Sequence, residues 1–575
     1  MKMTLLQSAA ALFAAALLVS LWPPFGQTGN VWFALVPLLL VVRHAPPRRA
    51  FWLGGLAGFA SWVGQLWWML SLTDNDGPWF LVVPALLGLS AVLALFVAAF
   101  AGLAAALRAR LSAAPGPGRV ALALVLEPAL WAGLECLRSH LFTGFAWNPL
   151  GLALAVPAWL PMAQVAALGG AALASALVVA VNGAVATLCE RLWGAVTHTG
   201  PADFRGRALL SLETILPFVP LLAAFLWGTH RIAAYDALLR DAPRASVVAE
   251  ATDVPSVFAE GRVSPLWSPD TLTRARSVAL LRPDLWLWPE SAVFEFAFPD
   301  AVGAKAALTR LAAEAGTPLL LGGIHRAPEG GWYNAALLFT DAGLGQVYGK
   351  RHLVPFGEYI PLDKTFPWLQ RFAPTGLSNV PGRDVTVLTL PSGLTVGPLI
   401  CFEDTVAGVA RESVNDGARL LLNLSNDAWY AGSAEADQHA RQAALRCIET
   451  GVPMARSANR GSVVAYDAVG RPVESLAAFT RDVISGVAPT YLPLTERPFA
   501  GPYLRFGELA FGAPCAAFVL CLAAWLLLRR RRPDPRLAAV LLLALLPLAP
   551  LRAQPAGDSL LPAAGLHALD GGGGV

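Results

Sequence analysis

Seven apolar stretches crowd the first 228 residues and an eighth follows a long polar interval, which decides most of what this chain can fold into. They run roughly 4–21, 30–43, 51–70, 79–106, 120–136, 160–188, 209–227 and 509–528. A helix needs about 20 apolar residues to cross a bilayer. Most of these stretches approach that length, and 30–43 and 120–136 are short. Composition agrees: of 575 residues, 56% are hydrophobic and 14% charged, where a soluble protein carries about 25% charge. The first stretch has the look of a secretory signal, with Lys2 ahead of an apolar run. However, "LWPPFGQTG" offers no small-residue cleavage site and further spans follow at once, so we read it as a retained helix.

The loops between these stretches alternate in charge. Arg43, Arg48 and Arg49 follow the second, Arg108, Arg110 and Arg119 the fourth, Arg191, Arg205 and Arg207 the sixth, and Arg529 to Arg532 the eighth. The intervening loops are poor in basic residues: 71–78 carries Asp74 and Asp76, and 137–159 has only Arg138. Cytoplasmic loops collect Lys and Arg, so the N-terminus and Arg529 belong inside. Segment 229–508 then faces the opposite side, which in a bacterium is the periplasm, the protein being anchored in the inner membrane. The domain plan is helices 1–7 over 1–228, an outer domain over 229–508, helix 8 over 509–530 and a cytoplasmic tail over 531–575. Within that tail, 537–551 is apolar but short. A net charge of +3 is too small to argue for a nucleic-acid partner. Six cysteines in this length make no disulfide scaffold.

Between 244 and 490 the pattern changes to short apolar runs separated by turn signals. "ASVVAEA", "DLWLWPES", "PLLLGGIHR", "AALLFTDAGLGQVYGK", "VTVLTLPSGLTVGPLICFE", "RLLLNLSNDAW" and "SVVAYDAVGRPV" predict strands, with "DAG", "PSG" and "DAVG" as turns between paired ones. Helices are predicted over 269–281, 301–315 and 434–450. The mixture implies an α/β or α+β layered domain.

Three ionisable groups end apolar strands, where α/β folds often gather catalytic groups. Glu290 closes "LWLWPE", Lys350 closes "QVYGK" and Cys401 closes "GPLIC". Each has a plain alternative: a turn acid, a hairpin charge and an inert buried thiol. Cys401 also precedes Glu403 and Asp404, and nearby carboxylates favour the neutral thiol. Together the three supply the parts for acyl transfer: a nucleophile, a base for its proton, and an ammonium for the oxyanion.

At these residues the chain resembles the carbon–nitrogen hydrolase (nitrilase) superfamily, which uses a Glu-Lys-Cys triad in this order on an α-β-β-α sandwich. It is more similar still to the superfamily's membrane-embedded bacterial branch, the apolipoprotein N-acyltransferases. "GKRHLVPFGEYIP", "ICFED", "NLSNDAWY", "QHARQAALRCIETGVPMARSANRG" and "LECLRSHLFTGFAWNPLG" carry that resemblance. It implies an α-helical membrane bundle of about eight spans plus a nitrilase-like sandwich, with Glu290, Lys350 and Cys401 catalytic. The implied reaction moves an sn-1 acyl chain from a phospholipid, typically phosphatidylethanolamine, onto the S-diacylglyceryl cysteine that begins an apolipoprotein, through a Cys401 thioester. Glu358 matches a glutamate that orients the lysine and cysteine, Glu403 the acid after the nucleophile, and Asn334 a further site residue. Phe402 stands where relatives carry tyrosine. Trp267 is the nearest match to an arm tryptophan, in a segment that departs from the family pattern.

Other candidates come from position alone. Arg138 and His140 beside "LFTGF" are placed to meet a lipid phosphate or to anchor a loop, and Trp429 reads as a packing or lid aromatic. Trp67, Trp68, Trp79, Phe142, Phe145 and Trp147 fall near outer span ends, as an interfacial belt or as substrate contacts. No metal-ligand spacing or phosphate-cradling glycine loop appears, so no metal or cofactor is inferred. The competing function is a membrane-tethered amidase or nitrilase acting on a small amide.

Overall fold

A computed structural model describes residues 2–75, 77–111, 122–197, 215–253, 269–293, 302–361, 365–366, 368, 379–383, 386–473 and 486–528. Trp267, Arg529 to Arg532 and segment 537–551 lie outside the described residues.

The apolar stretches fold as helices. α1 (Lys2–Ser20), α2 (Val36–His44), α3 (Pro47–Gln65), α4 (Trp79–Leu111), α5 (Glu127–His140), α6 (Ala166–Val196) and α7 (Phe218–Leu238) precede the polar interval. Three stretches among the described residues are long and apolar enough to cross a membrane: Trp79–Leu111, Ala166–Gly194 and Pro502–Leu526. This is fewer than the eight expected. The shortfall has local causes. α2 has nine residues, and α5 packs Glu127, Glu135 and Arg138 into fourteen. α3 carries Arg48, Arg49 and Gln65, and α7 ends in "THRIAAYDAL".

α3 and α4 lie backbone to backbone. Gly54 and Gly58 are one turn apart on α3, and a Cβ on Gly54 would sit 2.5 Å from Ala101 Cβ and 2.8 Å from the Val97 carbonyl. On Gly58 it would meet Val97 Cβ at 2.9 Å and Ala94 Cα at 3.0 Å. Between apolar helices in lipid, close packing of small residues supplies what water would otherwise drive. Sequence reading missed this Gly-xxx-Gly seam.

The polar interval builds a sheet folded on itself. Its strands are β1 (Arg244–Thr252), β2 (Leu285–Leu287), β3 (Leu319–Arg326), β4 (Trp332–Thr340), β5 (Gly343–Gly349), β6 (Leu388–Thr389), β7 (Thr395–Ile400), β8 (Leu420–Asn426), β9 (Met454–Asn459), β10 (Val464–Tyr466) and β11 (Gly486–Pro493). The order is β5-β4-β3-β2-β1-β9-β8-β7-β6, with β10 beside β9 and β11 antiparallel to β1. Along that path the two halves join where Ala251 and Thr252 pair with Ala458 and Asn459. One core brings Val247, Leu287 and Leu338 of the first half against Ile400, Leu422 and Ala455 of the second. On the outer face of the first half, Trp286 and Leu321 pack on α8 (Pro269–Leu281) and α9 (Val302–Ala315). On the other, Leu399 and Leu421 pack on α10 (Ala407–Asn415) and α11 (Glu435–Thr450). The layers are therefore α-β-β-α. After β11 the chain returns to the helical region as α12 (Gly512–Leu528).

The three expected helices of the polar interval fall on α8, α9 and α11. Two strands were not foreseen, β9 and β11, and the expected "SVVAYDAVGRPV" hairpin shrinks to β10 plus one bridge between Tyr466 and Pro472.

The sandwich is seated on one end of the helices through α11. Buried Gln438 accepts from Trp147 Nε1 at 2.9 Å and Asn148 Nδ2 at 3.0 Å, and donates to the carbonyls of Pro23 at 3.0 Å and Gln65 at 3.3 Å. Three loops and helix ends thus converge on one amide.

Candidate active site

Glu290 lies just past β2, Asn334 on β4, Lys350 at the end of β5 and Cys401 at the end of β7. Parallel pairing of β2 with β3 and antiparallel pairing of β3, β4 and β5 bring the first three to one sheet end. Gly322 of β3 lets the Glu290 turn pass, since a Cβ there would sit 2.4 Å from Glu290 Cα. Folding the sheet over then delivers Cys401 from the opposite half.

Lys350 is 1% exposed, and its Nζ lies 2.9 Å from Glu358 Oε1 and 3.6 Å from Glu290 Oε1. Asn334 Nδ2 donates to both carboxylates, at 2.7 Å to Glu290 and 2.6 Å to Glu358. Glu358 Oε2 accepts from the Val354 amide at 2.8 Å, which ties this acid to its own loop. The Cys401 thiol and the Glu290 carboxylate lie near enough for each to shift the other's proton affinity. Burial pushes that thiol up to about 12, with the Glu290 charge adding to the effect and Lys350 and His439 opposing it. Burial also raises Glu290, Lys350 pulling it back and Glu358 pushing it further. Burial works against the Lys350 charge, but Glu358 and Glu290 more than offset it and hold the ammonium form. A proton acceptor raised by burial beside a cysteine and a fixed ammonium is suited to general-base work.

Cys401 opens a 3-10 turn (Cys401–Thr405) with φ of 51°, a left-handed backbone that side chains rarely adopt. Glu403 secures that turn from within. Its carboxylate accepts from the amides of Arg351 (2.7 Å), His352 (3.0 Å) and Ile400 (2.8 Å) and from the Tyr348 hydroxyl at 2.9 Å. Glu403 is thus an internal tie between the Lys350 and Cys401 loops.

Phe402 faces the helical region instead. Its ring lies parallel to Trp147 (6.3 Å, 2°) and stacks near Phe145 (6.3 Å) and His352 (6.1 Å). The aromatic candidates therefore divide. Trp147 is buried and Trp68 packs on Trp147 and Tyr430, whereas Trp67, Trp79 and Phe142 are exposed. Trp429 sits half-buried in the 3-10 turn after β8. Arg138 is spent on structure: buried, it donates to the Trp147 carbonyl at 2.7 Å and lies over the Trp62 ring at 4.9 Å. Both contacts hold the loop after α5. His140 contacts its own helix at the Cys136 carbonyl, 2.8 Å away. It also lines a cleft of about 1120 Å³ between the sandwich and the helices, together with His352, Thr405, Arg446 and Glu508.

Sequence reading missed a second buried cluster behind the Cys401 turn, made of Asp404, Asp427, Glu435, His439 and Arg456. The donor atoms of Asp427, Glu435 and His439 lie within 4.8 Å of one another, near enough to hold a metal ion. The Arg456 guanidinium already occupies that role, 2.7 Å from Asp427 and 3.0 Å from His439 Nδ1. A metal ion would face its charge at close range.

This domain is of the carbon–nitrogen hydrolase class: residues 275–486 match the Carbon-nitrogen hydrolase family. Residues 14–184 match the Apolipoprotein N-acyltransferase N-terminal domain. An apolipoprotein N-acyltransferase of Chromobacterium violaceum is 32% identical over 539 residues, spanning 91% of this chain and 95% of that one. One from Geobacter metallireducens is 30% identical over 490 residues, 83% and 88% of the two chains. Among solved structures, a mutant amidase of the nitrilase superfamily from Nesterenkonia aligns with 44% of this chain and 93% of its own, at 19% identity and a TM-score of 0.31. The chain belongs to the apolipoprotein N-acyltransferase family.

Proposed function

We propose that this protein moves an acyl chain from a phospholipid to the α-amino group of the diacylglyceryl cysteine of an apolipoprotein, with Cys401 as acyl carrier. Glu290 takes the thiol proton and the thiolate attacks the sn-1 ester carbonyl. Lys350 holds the oxyanion, whose collapse breaks the ester bond. Glu290 returns the proton to the departing lysophospholipid alkoxide, and a thioester remains on Cys401. The lipoprotein amine then attacks that thioester, Glu290 accepts the amine proton, and the proton returns to the sulfur as the amide forms. Glu358 and Asn334 keep Lys350 and Glu290 in register. The donor is phosphatidylethanolamine.

The observation that carries this is the meeting of the Cys401 turn with the helical region: Phe402, adjacent to the nucleophile, stacks on the loop after α5. A reacting carbonyl at Cys401 is then close to the bilayer that holds both substrates, and membrane anchoring raises their effective concentration. Each methylene left in lipid is worth about 0.8 kcal/mol, so the tails anchor the substrates and the site reads the head groups. The layout further supports eight membrane segments, the boundaries 1–228, 229–508, 509–530 and 531–575, and a sandwich on the periplasmic face of the inner membrane.

Incubation with labelled phosphatidylethanolamine, followed by mass spectrometry of the Cys401 peptide, tests the proposal. A fatty acyl mass on Cys401 that a diacylated lipopeptide then discharges is expected, and Cys401→Ala abolishes both. No acyl-enzyme and no transfer, with hydrolysis of a small amide, would establish the amidase alternative.

A further inference from the structure

Arg456, on β9, is wholly enclosed. Its Nη1 donates to Asp404 Oδ2 at 3.0 Å and Asn423 Oδ1 at 2.9 Å, its Nη2 to Asp427 Oδ2 at 2.7 Å, and its Nε to the Ser462 carbonyl at 3.2 Å. His439 bridges the same acids: Nε2 is 2.9 Å from Asp404, while Nδ1 is 3.3 Å from Asp427 and 3.4 Å from Glu435. Stripping water from such charges costs several kcal/mol per ion, and an apolar core of equal volume is often as stable. Stability alone is a weak reason for this cluster to exist.

Its connections suggest a stronger one. Asn423 on β8 joins the cluster to the nucleophile: its Oδ1 accepts from Arg456 and its Nδ2 donates to the Cys401 carbonyl at 3.0 Å. Asp404, three residues past Cys401 in the same 3-10 turn, is held by Arg456 and His439. The turn is therefore gripped on its carbonyl and on its far end. That grip matters because a non-glycine residue at φ of 51° is strained and persists only where its surroundings over-determine it. Neither Asn423 nor Arg456 takes part in the chemistry above.

We propose that Asn423, backed by Arg456, is a positioning residue for acyl transfer: it clamps the Cys401 turn in its left-handed form so that the thiol meets Glu290. This rests on Cys401 being the acyl carrier.

Asn423→Leu removes the amide at similar volume, and Asn423→Asp keeps the acceptor for Arg456 but cannot donate to the Cys401 carbonyl. In the full-length detergent-solubilised protein, three quantities are compared with wild type: the melting temperature, single-turnover thioester formation from labelled phosphatidylethanolamine, and the pH midpoint of Cys401 alkylation by iodoacetamide, followed on its peptide. A small misplacement of reacting groups costs about 10²-fold in rate. A loss of that order in the rate of thioester formation is expected. In Asn423→Leu the alkylation midpoint should also fall toward the roughly 8.5 of a free thiol. A merely structural role would lower the melting temperature and the folded fraction but leave the midpoint of the folded protein in place, and that result overturns the proposal. So does a folded variant that forms thioester at the wild-type rate. Should neither variant fold, Arg456→Lys, which keeps the buried charge but cannot bridge its four partners, is judged by the same readouts. Alkylation needs no acyl donor. Wild-type protein that alkylates yet forms no thioester would sink the transferase reading, and the clamp would then be judged on the midpoint alone.

Discussion

Glu358 touches no reacting atom, yet its charge acts on one. Its Oε1 shares Asn334 with Glu290, and its negative charge helps hold the Glu290 proton. In the proposed reaction the base works only when ionised, so activity should fall as pH drops through the raised Glu290 value. Removing the Glu358 charge lowers that value. Glu358→Gln should therefore move the acid limb of kcat/KM to lower pH. The maximal rate should fall about 10²-fold, because Lys350 loses its nearest acceptor. A pH–rate profile of both proteins checks the sign, and an acid limb moved upward would contradict it. The three residues proposed as a triad were legible as candidates because three strand-forming apolar runs end in ionisable residues. The cluster behind it was not. "MARSAN" has the alternation of no amphipathic strand, yet all six residues are buried. Its polar side chains satisfy one another at distances sequence does not record, and patterns built on hydrophobicity pass over them.

At the level of elements, the same limitation appears in the apolar half. Hydropathy located the helices but not which faces meet, because in lipid the contact surface is marked by small residues rather than by apolar ones. Gly54 and Gly58 mark it on α3, where the nearest atoms include α4 backbone that cannot yield. Gly54→Leu should therefore destabilise the protein by about 1–3 kcal/mol, the usual range for overpacking. Gly88, on α4, has open space where a Cβ would stand, with no atom within 4 Å. Gly88→Ala should be neutral or stabilise by about 0.5–1 kcal/mol through helix propensity. Thermal unfolding in detergent distinguishes the two, and equal effects would mean that α3 and α4 are not in intimate contact. The span count shows the same limit from the other side. α5 and α7 were legible as helices, but their ionisable residues, such as Glu127 and Arg231, leave them short of a simple apolar span.

At the scale of the whole molecule, charge separates the two ends of the helices. At one end Arg43 pairs with Glu190 at 2.7 Å and Arg108 with Glu127 at 2.5 Å. At the other, α11 of the sandwich holds the carbonyls of Leu21, Pro23 and Gln65. The basic end is the one the positive-inside rule assigns to the cytoplasm, so the sandwich should face outward. Cysteines can read this directly. Cys189 is exposed at the basic end, beside Glu190, and Leu280 on α8 of the sandwich is 86% exposed. In spheroplasts of a bacterial host, a membrane-impermeant maleimide should label Leu280→Cys before lysis and Cys189 only after it, with Cys189→Ser as the control for site assignment. The reverse order would put the thioester chemistry on the cytoplasmic side. An acceptor whose cysteine amine lies across the membrane could then not reach Cys401.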